Sequence, residues 1–159
     1  MNIVPKAESP FATRSAASLG APERDAAGRL EINVIHTTAR GTLAALKTAG
    51  ELAFDLGARI NLLAPKLVPW ALPLTRPPVA VGCIENQLCE LVCKAASGVS
   101  DVSIHVLLCR DKQRALIQAL KLKSLVVIGG QKPWWPGEKK SLVKRLSRYG
   151  HRVIFAGER

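Results

Sequence analysis

Short apolar runs recur along the chain, separated by stretches whose apolar residues return every three or four positions. Glu31 to Thr37 (EINVIHT) is rich in β-branched residues and predicts a strand. Arg59 to Ala64 (RINLLA), Val102 to Leu108 (VSIHVLL), Ser124 to Ile128 (SLVVI) and Arg152 to Ala156 (RVIFA) predict four more. Between the first two, Thr38 to Leu56 places Leu43, Leu46, Gly50, Ala53 and Phe54 on one helical face, with Gly57 positioned to end the helix. Ile84 to Ala96 predicts a second helix through Leu88, Leu91, Val92 and Ala95, stopped by Gly98. Asp111 to Leu120 predicts a short third helix with Ala115, Leu116, Ala119 and Leu120 inward. Glu138 to Tyr149 predicts a fourth, with Leu142, Val143, Leu146 and Tyr149 inward and basic residues outward.

Strands that alternate with helix-length segments imply right-handed βαβ units. The expected fold is α/β: a single doubly wound, five-stranded parallel sheet with helices on both faces. Such sheets bind ligands at the carboxyl ends of strands, where strand order reverses. Two stretches break the rhythm. Residues 1–29 are Ala, Ser, Pro and charge without apolar periodicity and predict a flexible tail, so the domain is expected over residues 30–159. Pro65, Pro69, Pro73, Pro77 and Pro78 predict an irregular excursion over the surface.

Composition supports one domain: at 159 residues, a hydrophobic share of 48% suffices for a single core. The net charge of +11 favours anionic partners without choosing among nucleotide, nucleic acid, lipid or acidic protein. Cys83, Cys89, Cys93 and Cys109 form no CxxC pair, and His36, His105 and His151 are scattered. Buried, reduced thiols in a reducing compartment are expected, with no metal site. Pro5, Lys6, Glu8 and Pro10 interrupt any leader-like apolar run, and no run approaches the roughly 18 residues of a membrane span. A cytoplasmic location is expected.

The order and spacing of these segments resemble the universal stress protein family from residue 31 onward. The opening unit, INVIHTTARGTLAALKTAGELAFDLGARINLL, and above all its ending from Ala53 to Leu63, carry the resemblance. VVIGG (Val126 to Gly130) is similar to that family's fourth strand and first ligand-loop glycine, and Ser141 falls where its last helix begins. The resemblance implies strand order 3-2-1-4-5 and a crevice between strands one and four, lined by Thr37, Thr38, Gly129 and Gly130. It also implies ATP or another adenine nucleotide as ligand, and a homodimer through the fifth strand, Arg152 to Ala156. ATP-binding members share G-x-x-G, a nine-residue spacer and G-[ST]. Here Gly129 and Ser141 fit, while Lys132 and Lys140 replace two glycines and Thr37 replaces an Asp.

Physically, Gly129 and Gly130 let backbone N–H groups approach an anion, and Lys132 adds a point charge. Ser141 and Thr38 are expected to cap the last and first helices. Trp134 and Trp135, set between prolines, would stack on a base or plug the crevice. Lys144, Arg145 and Arg148 form a basic helical face suited to an acidic protein or a polyanion. No helix-turn-helix, RNA-binding or finger signature points to specific nucleic acid recognition. His36 and His105 are expected in the core, no catalytic carboxylate pair or nucleophile elbow is evident, and the chain is not expected to be an enzyme. The expected function is a regulatory, stress-response module. The alternative is a scaffold that has lost nucleotide binding and works through its basic helix and Trp loop.

Overall fold

The computed structural model describes residues 11–20, 30–95, 101–121, 123–130 and 137–157. In chain order they form β1 (Phe11–Gly20), β2 (Glu31–Ile35), α1 (Ala39–Leu56), β3 (Arg59–Leu67), α2 (Val81–Ala95), β4 (Asp101–Cys109), α3 (Lys112–Ala119), β5 (Leu125–Gly129), α4 (Gly137–Arg148) and β6 (Arg152–Ala156).

The sheet runs β1-β4-β3-β2-β5-β6. Its five strands from β4 to β6 are mutually parallel, in the order 3-2-1-4-5 when counted from β2. Alternate residues divide into two cores, as a pleated strand requires. Ile32, Val34, Ile60, Leu62, Ile104 and Val106 pack beneath α1 and α2. On the opposite face Ile35, Leu63, Leu107, Val126 and Ile128 pack against Leu116 of α3 and Leu142 and Leu146 of α4.

Phe11–Gly20 corrects the expected tail. This segment pairs antiparallel with β4, from Phe11 opposite Cys109 to Gly20 opposite Asp101, with an irregularity between Ser15 and Ala17. Its Ala- and Ser-rich composition has weak strand preference, but β4 would otherwise be an edge of nine residues with open backbone groups. Satisfying that edge overrides local composition.

Other departures are local. α1 buries a narrow stripe of Gly41, Thr42, Ala45, Leu46, Ala49, Gly50 and Ala53. Phe54, expected inward, lies in the last turn on the flank of that stripe and is 81% exposed. Tyr149 follows α4 in a turn closed by Gly150 at φ 84° and is also exposed, not inward. β3 continues through Pro65 to Leu67, past the expected end at Ala64. It can do so because β2 pairs with β3 only as far as Ile35 opposite Leu63, so the missing N–H of Pro65 costs no ladder bond on that side.

The proline-punctuated excursion is exposed but anchored. Arg110 Nη1 donates to Val68 O at 2.8 Å and also to Pro69 O, Nη2 donates to Leu72 O at 2.9 Å, and its Cζ stands 4.7 Å from the centre of the Trp70 ring. Of the four cysteines, Cys109 is buried as expected, whereas Cys83 and Cys93 are exposed and Cys89 is intermediate.

Candidate functional site

The connection from β2 to β3 runs to one side of β2, while β5 pairs with its other side. Strand order therefore reverses between β2 and β5, and the carboxyl ends of these strands frame the crevice. Four of the expected site residues are gathered here. Thr37 Oγ1 donates to Gly129 O at 3.3 Å, and Thr37 N donates to Thr42 Oγ1 at 3.0 Å. Thr38 caps α1, its Oγ1 accepting from Gly41 N at 3.0 Å. This leaves the first turn of an 18-residue helix pointing its remaining N–H groups out of the carboxyl end of the sheet.

Glycine at 129 serves close packing. A Cβ built there would stand 1.7 Å from Gly41 O, and one on Gly41 would stand 2.9 Å from Gly129 O and 2.7 Å from Thr37 Oγ1. α1 and β5 thus meet backbone to backbone, with Thr37 fastened across the junction. Gly130, at φ 142°, turns the chain away while its N–H donates to Ala156 O at 3.1 Å.

Ser141 does not cap α4. The helix begins at Gly137, so Ser141 lies beyond its first turn, exposed beside buried Leu142. Lys132, Trp134 and Trp135 lie outside the described residues. On the basic face, Lys144 and Arg148 are exposed, whereas Arg145 Nη1 donates to Gln113 Oε1 of α3 at 3.0 Å.

The structure adds three basic groups that sequence reasoning missed. His36 follows β2 directly, its N–H donating to Leu63 O at 2.8 Å, and is half-buried, not a core residue of the strand. Burial, then the charges of Lys66 and Lys112, lower its pKa to about 4. Lys66, near the end of β3, is itself shifted down by burial and by Lys112, the first residue of α3. Two lysine charges thus repel each other at the carboxyl end of the sheet, and their field keeps His36 neutral. Nearby, burial pushes the Cys109 thiol up to about 11, against the pull of Lys112. No single motif marks this cluster, since its members come from three separate stretches of the chain: the end of β2, the end of β3 and the start of α3.

No family model matches the sequence, and no curated protein matches it significantly. Solved structures do match. A universal stress protein crystallised in complex with cAMP superposes with a TM-score of 0.60 over 82% of this chain and 98% of its own, at 16% identity. The fold is that of the universal stress proteins. A universal stress protein from Archaeoglobus fulgidus matches with a TM-score of 0.53 over 80% of this chain and 93% of its own, at 15% identity. At these identities the universal-stress-protein likeness establishes architecture, and the chemistry must come from this chain's own side chains. Among the described residues, no group of three His, Cys, Asp or Glu side chains could hold a metal ion. No helix among them is long and apolar enough to cross a membrane.

Proposed function

We propose that this chain is a divergent universal stress protein: a non-catalytic regulatory module of the cytoplasm that takes an anionic ligand, with an adenine nucleotide as first candidate, at the carboxyl end of its sheet. The observation that carries this reading is the cluster of His36, Lys66 and Lys112 beside the capped N-terminus of α1. Repulsion between Lys66 and Lys112 is relieved when a phosphate joins them, neutral His36 can donate a hydrogen bond to it, and the helix N-terminus adds a favourable field. The closed junction of Thr37, Gly41 and Gly129 forms the floor and Thr38 and Gly130 the mouth, with Lys132 kept as a ligand candidate by its place in the sequence. The structure with cAMP bound lends the fold precedent for a nucleotide.

A thermal-shift titration with ATP, ADP, AMP and cAMP tests the reading. Saturable stabilisation by one of them, weakened about tenfold or more in Lys66→Ala and Lys112→Ala, is the expected outcome. A loss of one charge-assisted contact is worth roughly 1.5–3 kcal/mol, which sets that scale. A flat response to every nucleotide would favour the scaffold reading, in which exposed Lys144 and Arg148 meet an acidic protein or polyanion. We also assign homodimer formation to β6, whose outer edge has no strand partner among the described residues.

A further inference from the structure

At the opposite ends of the strands, one sheet face is polar where a doubly covered parallel sheet is ordinarily apolar. Glu31 and Asn33 of β2, Arg59 and Asn61 of β3, and Ser103 and His105 of β4 all belong to the face that α3 and α4 cover. α3 is only eight residues long and seals the far half, over Leu63 and Leu107, before the chain leaves it at Leu120. The half that the described residues leave uncovered is a cleft of about 340 Å³, with Ala119 and Lys121 on its rim. That volume is at the lower end of the roughly 300–1,000 Å³ typical of small-molecule sites.

Charges in this cleft are already matched. Arg59 lies 3.6 Å from Asp101, with both side chains almost fully buried, and Lys121 lies 3.3 Å from Glu31. What remains is neutral hydrogen-bonding capacity held in a fixed lattice. Asn61 Nδ2 donates to Glu31 Oε2 at 3.2 Å and to Asn33 Oδ1 at 3.4 Å, and Asn33 Nδ2 donates to Leu125 O at 3.3 Å. This orients the Asn61 carbonyl oxygen as an acceptor. Ser103 Oγ accepts from Arg59 Nη2 at 3.5 Å and keeps its own proton to donate. Leu63 and Leu107 supply an apolar wall.

We propose that this cleft is a second binding site, for a neutral, hydroxyl-rich small molecule such as a monosaccharide or cyclitol. An anion would find its cations already paired, and a fully apolar ligand would strand the amide and hydroxyl groups. Alternating hydroxyls with an apolar ring face match both the lattice and the leucine wall.

Two-dimensional amide NMR of the full chain, titrated with D-glucose, D-ribose and myo-inositol to tens of millimolar, tests this site. Saturable shifts at Asn33, Asn61, Ser103 and His105 with one of these probes are expected. Asn61→Leu should weaken that binding at least fivefold and Ser103→Ala should weaken it measurably, while Lys66→Ala leaves it unchanged. That last variant separates this site from the nucleotide site, so either can fail alone. If no probe gives saturable shifts, or if both cleft variants bind as the parent does, the site is overturned. Cleft resonances that move with protein concentration alone would assign the face to a second copy of the chain and overturn it equally.

Discussion

His36 shows how one side chain links stability to ligand affinity. Its pKa is lowered from 6.5 to about 4 by burial and by two neighbouring lysines. The unfolded chain therefore binds the extra proton first, so stability is full above about pH 6.5 and falls as pH drops toward 4. His151 adds to the same trend, since burial lowers its pKa too and its Nδ1 accepts from Ser124 N at 3.0 Å. We predict that His36→Gln flattens the acid limb of a melting-temperature profile relative to the parent; identical profiles would remove His36 from that role. An anion beside His36 raises its pKa, so binding takes up a proton. Affinity for cAMP, whose phosphodiester keeps one charge over this range, should rise as pH falls from 8 to 5 in a calorimetric titration. Gly129 carries a different kind of constraint. Gly129→Ala must push α1 off β5, costing about 1–3 kcal/mol or more by overpacking. Urea denaturation at neutral pH measures that loss.

Elements were legible to different degrees, for physical reasons. β2, α1, β4 and β5 could be located from apolar periodicity because each buries a strong face, and β6 from its apolar run although Ala156 is its one buried residue. β1 could not, because its pairing is imposed by the open edge of β4 and leaves little trace in Phe11–Gly20. The polar cleft was written in plain alternation, as Glu31 and Asn33, Arg59 and Asn61, Ser103 and His105, but it takes the strand register to show that these share a face. The crevice between β2 and β5 was legible at Thr37, Thr38, Gly129 and Gly130, while Lys66 and Lys112 come together only through the fold. Ser141 was misassigned as a cap: it lies inside α4, which starts at Gly137, one residue before the predicted Glu138. The anchor on the Trp70 segment was equally hidden, since Arg110 reaches it from the end of β4. Arg110→Ala should release this segment, and limited proteolysis should then cut between Pro69 and Ala80 well before the parent is cut. Thiol labelling gives an independent check on α2 and β4: Cys83 and Cys93 should react quickly and Cys109 only on unfolding.

For the whole molecule, the two ends of the sheet have different chemistry. The carboxyl end brings the charges of Lys66 and Lys112 together, whereas the amino end holds the pairs Arg59–Asp101 and Lys121–Glu31 beside amides and a hydroxyl. The buried pair of Arg59 and Asp101 ties β3 to β4 beneath that second end. Removing one partner of such a pair strands the other, so Asp101→Ala should cost about 3–5 kcal/mol in denaturant unfolding. The assembly assigned to β6 predicts twice the monomer mass by light scattering, reduced to monomer when Ile154→Pro spoils the edge; a monomeric parent would remove it. The central claim is that the carboxyl end of the sheet holds an anionic ligand. Amide NMR mapping of the full chain with ATP and cAMP tests it most directly. Saturable shifts concentrated at His36, Thr38, Gly130, Lys66 and Lys112, and lost in Lys66→Ala, are the predicted result. Saturable shifts centred instead on Lys144 and Arg148, or none at all, would contradict it.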